Sequence, residues 1–100
     1  MRELEHLQNW YASQCNGDWE HSFGVKIDTL DNPGWILEID LSETELSNEP
    51  FPEFRRGDSE EGPDWVHCKV EVGKFLGYGG AKNLSELLQH FLAWAQRGAA

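Results

Sequence analysis

A chain of 100 residues holds one small domain with one core, and its 39% hydrophobic and 12% aromatic content is enough to fold without disulfides or a structural metal. The 18 acidic against 8 basic residues give a net charge of −10, which repels nucleic-acid phosphates and anionic membranes and favours a basic protein surface as partner. No stretch approaches the ~20 apolar residues that cross a bilayer, no basic segment leads an apolar run at the amino terminus, and Cys15 and Cys68 lack CxxC spacing, so a cytoplasmic protein with two free thiols is expected.

Leu4, Leu7, Tyr11 and Ala12 recur at helical spacing with Trp10 at the flank, and Glu3 and Glu5 suit the positive end of a helix dipole. This predicts a helix of about three turns that stops at Asn16-Gly17, residues tolerant of the left-handed conformation that closes a helix. From Phe23 the period becomes two: Phe23, Val25 and Ile27 alternate with Gly24, Lys26 and Asp28, as on a strand with one dry face. Trp35, Leu37, Ile39 and Leu41 alternate in the same way with Ile36, Glu38 and Asp40. Between the two runs LDNPG, Leu30 to Gly34, is a turn signal, and a hairpin follows. Ser42 to Asp64 is the least regular segment. Pro50 and Pro52 leave room only for a short edge strand around Phe51 to Arg55, and GDSEEGPD, Gly57 to Asp64, reads as a solvated loop.

A further strand places Val66, Cys68, Val70 and Val72 on one face and Trp65, His67, Lys69 and Glu71 on the other. Gly73-Lys74 suits a two-residue hairpin loop into Phe75 to Tyr78. YGGAKN then ends the sheet, with GYGG bending the chain toward a last helix. Asn83, with Glu86 three residues on, resembles a capping box, and Leu84, Leu87, Leu88, Phe91, Leu92 and Ala95 form the buried stripe of a helix that Gly98 ends. The fold class is α+β, an antiparallel sheet of about four to five strands with an N-terminal and a C-terminal helix packed on one face.

A zinc site built from Cys15, His21, His67 and Cys68 fails on geometry, because adjacent strand residues point to opposite faces and His67 and Cys68 can hardly share one ion. No metal and no cofactor are expected. Cys15 stands at a helix carboxyl end, unfavourable for a thiolate, and Cys68 alternates within a strand rather than sitting in a strand-to-helix loop. GYGGAKN lacks the GxxxxGK[ST] order of a phosphate loop. NGDWEH, Asn16 to His21, puts two carboxylates and an imidazole near one turn, so a small acid-base hydrolase or lyase using Asp18, Glu20 and His21 is the alternative reading. The same residues serve equally as a solvated turn with Trp19 packed over the end of the sheet, or as a surface shown to a partner.

The acids Glu38, Asp40, Glu43, Glu45, Glu49 and Glu53, continued by Asp58, Glu60, Glu61 and Asp64, are the most pronounced functional feature. They form either a solubilising face or a docking surface for a cationic protein, with Trp19, Trp35 and Trp65 as aromatic anchors. The candidate partner-binding residues are therefore Asp18, Trp19, Glu20, His21, Trp35, Glu38, Asp40, Glu43, Glu45 and Trp65, with no catalytic residue among them. A constitutive subunit of a larger assembly, the third reading, would expose a large apolar patch.

LEHLQNWYASQCNGDWEHSFGVKIDTLDNPGW, Leu4 to Trp35, resembles the opening of immunity protein 53 (Imm53), a family of bacterial polymorphic toxin systems, and GGAKNLSELLQHFLAWA is similar to that family's carboxyl end. The most specific parts are NWYxSQCNGDWEHSFG and TLDNPGW, whereas Ser42 to Asp64 matches loosely. The resemblance implies a single immunity-protein-like domain over residues 1–100, a cytoplasmic protein that binds and neutralises a cognate protein toxin without catalysis or cofactor. A basic nuclease whose substrate groove the acidic surface covers is one form such a toxin could take. The resemblance assigns no contact residue, so the partner-binding residues rest on charge and composition alone.

Overall fold

The computed structural model describes residues 2–98, which run α1 (Glu3–Gln14), α2 (Trp19–Ser22), β1 (Val25–Leu30), β2 (Gly34–Asp40), β3 (Phe54–Arg56), β4 (Val66–Glu71), β5 (Lys74–Gly80) and α3 (Leu84–Gly98). The five strands make one antiparallel sheet in the order β1-β2-β5-β4-β3. The β4–β5 hairpin inserts beside β2, so the chain after β2 travels to the far edge before it returns. On the dry face, Leu37 and Ile39 of β2 stand beside Gly77 and Phe75 of β5, with Cys68 of β4 next in line. Helix α3 lies over this face and buries Leu87, Leu88, Phe91, Trp94 and Ala95 against it, while α1 packs on α3 through Leu7 and an edge-on contact between Trp10 and Phe91. Each large side chain so buried contributes roughly 1.5–3 kcal/mol, which is why a helix with a dry stripe holds its place here.

Gly77 and Gly79 explain how closely α3 can approach. A Cβ at Gly77 would lie 3.3 Å from the Leu87 side chain, and one at Gly79 would lie 3.1 Å from that of Asn83. GYGG thus continues β5 to Gly80 and lets the helix settle on bare backbone, rather than ending the strand at Tyr78 as the sequence suggests. Asn83 precedes α3, yet no capping box forms. The Glu86 carboxylate turns outward to the Arg56 guanidinium, and the Asn83 side-chain amide donates to Asp64 at 2.9 Å. An arginine on the neighbouring edge strand competes for that carboxylate, and the ion pair wins over the local bond.

One other expectation shifts. Helix α1 ends at Gln14, and Asn16 Oδ1 accepts the N–H groups of Asp18 and Trp19 at 3.0 and 2.9 Å, which starts the single turn α2. Four residues are too few to carry a helical period, so α2 is silent in the sequence. The irregular segment expected from Ser42 onward is pinned to the core at its start. Leu41 and Leu46 are buried, Thr44 Oγ1 donates to the Leu41 carbonyl at 2.7 Å, and the Trp94 indole donates to the Pro50 carbonyl at 2.9 Å.

The two thiols sit in opposite environments. Cys15 is exposed, whereas Cys68 is buried on the dry face, where burial pushes its pKa up to about 12. An aromatic disulfide reagent at neutral pH should therefore titrate one thiol in the native protein and two in denaturant. Loss of the native reaction in Cys15→Ser assigns it; reaction of both thiols in the folded protein would contradict this placement.

Candidate functional site

The structure gathers part of the predicted acidic set into one place. Glu20 and His21 of α2, the residues leading into β1, and Glu38 and Asp40 of β2 line a polar cleft of about 360 Å³, together with Lys26 of β1 and Lys74 of β5. Alternation along the strands puts Lys26, Glu38, Asp40 and Lys74 on the open face of the sheet, away from α3. Lys74 Nζ donates to Asp40 Oδ1 at 2.6 Å and lies 3.6 Å from Glu38 Oε1, while Asp40 Oδ2 accepts the Gly24 N–H at 2.9 Å. Asp40 therefore ties β2 to β5 and to the residue just before β1, and its hydrogen bond raises the Lys74 ammonium above the ordinary lysine range.

Glu20 is held from the other side. Its carboxylate accepts the N–H groups of Asn16 and Gly17 at 3.0 and 2.8 Å. Backbone amides, its own and those two, hold its pKa below the usual carboxylate range. The carboxylate that sequence reasoning offered to chemistry or to a partner is thus occupied in closing the turn. Asp18 is exposed but does not line the cleft, so Asp18, Glu20 and His21 are not assembled around one pocket.

The remaining predicted residues scatter. Trp19 is buried, and its indole donates to the Ser42 carbonyl at 2.9 Å. Glu45 accepts from the Trp10 indole at 3.2 Å and from Gln14 at 3.0 Å, fastening α1 to the loop after β2. Trp35 donates to the Ala81 carbonyl at 2.9 Å, and Trp65 lines a groove with Glu60 and Glu61 at the opposite end of the sheet. The seven residues of β2 separate the two ends, about 20 Å at ~3.3 Å per residue. Glu43 is exposed, with a positive φ of 63°. The acids do not form one continuous face, because Lys26, Arg55, Lys69 and Lys74 share the open face with them. At the β3 edge, His67 Nε2 lies 2.6 Å from Glu53 and 3.2 Å from Arg55, and that histidine contact holds the Glu53 carboxyl below its ordinary range.

Sequence reasoning missed the tip of the β4–β5 hairpin. The turn is Val72-Gly73 rather than Gly73-Lys74, with φ of 51° and 74°, so Val72 leaves the strand and is 92% exposed. A β-branched residue in left-handed backbone is strained by about 1–2 kcal/mol, and Val72 recovers none of this by burial. The tip sits beside the cleft, since Lys74 follows it and the Gly73 carbonyl accepts the Leu41 N–H at 2.9 Å. The available signal was the pair Val-Gly between two alternating runs, which a one-residue shift of the turn would have exposed.

Among the described residues no group of three or more His, Cys, Asp or Glu side chains is arranged to hold a metal ion, and no helix is long and apolar enough to cross a membrane. The family model of immunity protein 53 (Imm53) matches residues 4–96. No curated protein and no solved structure matches the chain.

Proposed function

The chain belongs to the immunity protein 53 family, and from that premise we propose that it binds and neutralises a cognate protein toxin, using the end of the sheet where the cleft, Asp18, Glu43 and the Val72 tip come together. The observation that carries this reading is Val72: an aliphatic side chain held in strained backbone and left in water, beside a cleft rich in carboxylates. The fold gains nothing from valine at that turn, and a contact outside the chain supplies a reason for it. The fitting partner surface is basic, with a small apolar recess for the valine. Charge complementarity sets the rate of encounter, and the buried aliphatic contact slows release. Catalysis has no part in this mechanism, and localisation with the toxin's target in the cytoplasm belongs to the same proposal.

Val72→Asn separates function from stability. Asparagine tolerates the left-handed turn, so the variant should gain about 1 kcal/mol of stability while losing affinity for the toxin encoded beside it. Co-expression of that toxin with wild-type and variant chains, scored by growth and by co-purification, reads the outcome. Full rescue and an unchanged complex with Val72→Asn and with Asp18→Lys/Glu43→Lys would remove this end of the sheet as the binding surface. Rescue by wild type without any complex would remove binding itself as the mechanism.

A further inference from the structure

The two edges of the sheet are treated differently by the sequence. At one edge β3 has only three residues and follows Pro50 and Pro52. At the other, β1 offers six residues without proline, glycine or bulge, and long edges of this kind are templates for further pairing. The Gly24 carbonyl accepts the Asp40 N–H at 3.0 Å, so alternation turns the backbone groups of Val25, Ile27 and Thr29 toward the free edge. Beside this edge, a groove of about 510 Å³ between α1 and β1 is lined chiefly by Leu4, Leu7, Tyr11 and Val25. Among the described residues, four large hydrophobic side chains are exposed, and Leu4, Tyr11 and Ile27 are three of them. All three border this side of the molecule.

We infer that β1 pairs with β1 of a second copy of this chain, antiparallel about a two-fold axis through Ile27, to give a continuous ten-stranded sheet. The occupant follows from the strand's own sequence. With Ile27 opposite Ile27, Val25 meets Thr29 on the groove side. On the open face Lys26 meets Asp28, twice by symmetry. Lys26 and Asp28 are exposed, and they fall at the non-hydrogen-bonded positions, where cross-strand side chains approach most closely. Few six-residue strands complement themselves in charge and in hydrophobic face at one register. In the free edge Asp28 Oδ1 accepts the Thr29 N–H at 2.8 Å. Pairing passes that N–H to the Val25 carbonyl of the other copy and releases the carboxylate to Lys26. An isologous contact of this kind closes at two copies, and because each carries a net charge of −10, added salt relieves the overall repulsion. Toxin encounter driven by opposite charge responds to salt in the reverse direction, so the two associations are separable.

Charge exchange tests the register. Lys26→Asp leaves two aspartates opposite two, and Asp28→Lys leaves two lysines opposite two. In sedimentation equilibrium over a concentration series, wild type should populate a dimer, and each single variant should dimerise at least tenfold more weakly while keeping its circular dichroism. An equimolar mixture of the two variants, and the double variant Lys26→Asp/Asp28→Lys, should both recover dimer. Wild type that is monomeric throughout, or a mixture and double variant no better than the singles, overturns the proposal. Protection of β1 amides from hydrogen exchange only in the toxin complex also overturns it, by giving the edge to the toxin.

Discussion

Trp19→Ala should destabilise the protein by about 3–5 kcal/mol, the range for emptying a buried aromatic site, and should abolish neutralisation with it. Trp19 is 2% exposed and stands edge-on to Trp10 and Tyr11, with ring centroids 6.2 and 6.0 Å away. Its indole N–H reaches the Ser42 carbonyl in the loop after β2. One side chain therefore joins α1, α2 and that loop, and α2 carries Glu20 and His21 into the cleft. Small domains have only about 5–15 kcal/mol of stability in total, so the alanine variant loses a large fraction of it. Trp19→Phe keeps most of the packing and leaves one carbonyl without its donor, a cost of about 1 kcal/mol. Urea denaturation of both variants checks the order. If alanine costs no more than phenylalanine, Trp19 is not packed as described, and its place among surface anchors returns.

Placement of Trp19 in the core shows which features of this fold were legible beforehand. Strands β2 and β4 and helix α3 were readable because each buries one face, and burial writes a period of two or 3.6 into the sequence. The polar connections were less legible, since they are set by bonds between residues distant in the chain. Glu86 looks like a capping residue until Arg56 arrives from a strand thirty positions earlier. Glu45 looks like a free docking acid until Trp10 and Gln14 donate to it. The ten expected partner-binding residues divide for the same reason. Glu20, His21, Glu38 and Asp40 share a cleft because the register of the β1–β2 hairpin sets Gly24, just after α2, beside Asp40, and that register, unlike the hairpin itself, was open in the sequence. Trp35 and Trp65 went to the opposite end. Lys26 and Lys74, which complete the cleft, carry no mark of their own in a sequence dominated by carboxylates, and Val72 is hidden because Gly73 suits either position of a two-residue reversal.

That separation of the two ends gives Gly80→Ala its use. Gly80 ends β5, where its N–H donates to the Trp65 carbonyl at 3.1 Å and its own carbonyl accepts the Asn83 N–H at 3.0 Å. A Cβ there would stand 1.8 Å from the Pro63 carbonyl oxygen, 3.0 Å from the carbon bonded to it and 2.7 Å from Asn83 Oδ1. Two of these neighbours are backbone, so the loop carrying Glu60, Glu61 and Pro63 has to move as a unit, with the start of α3 held against it. Overpacking of this severity should cost about 3 kcal/mol, and a domain of this size loses roughly 4–8 °C in Tm for each kcal/mol. Gly24→Ala is the matched control, since an added Cβ there meets nothing within 4 Å. At a temperature where Gly80→Ala remains folded, the damage is confined to the end of the sheet where Leu30 and Gly34 lie level with Gly80, remote from α2, the start of β1 and the Val72 tip. Toxin affinity should then stay within about twofold of wild type, because additivity holds for sites well separated in space. A thermal melt no lower than that of Gly24→Ala would contradict the close approach of Pro63. A normal melting shift accompanied by a large loss of affinity would move the binding surface to the groove beside Trp65.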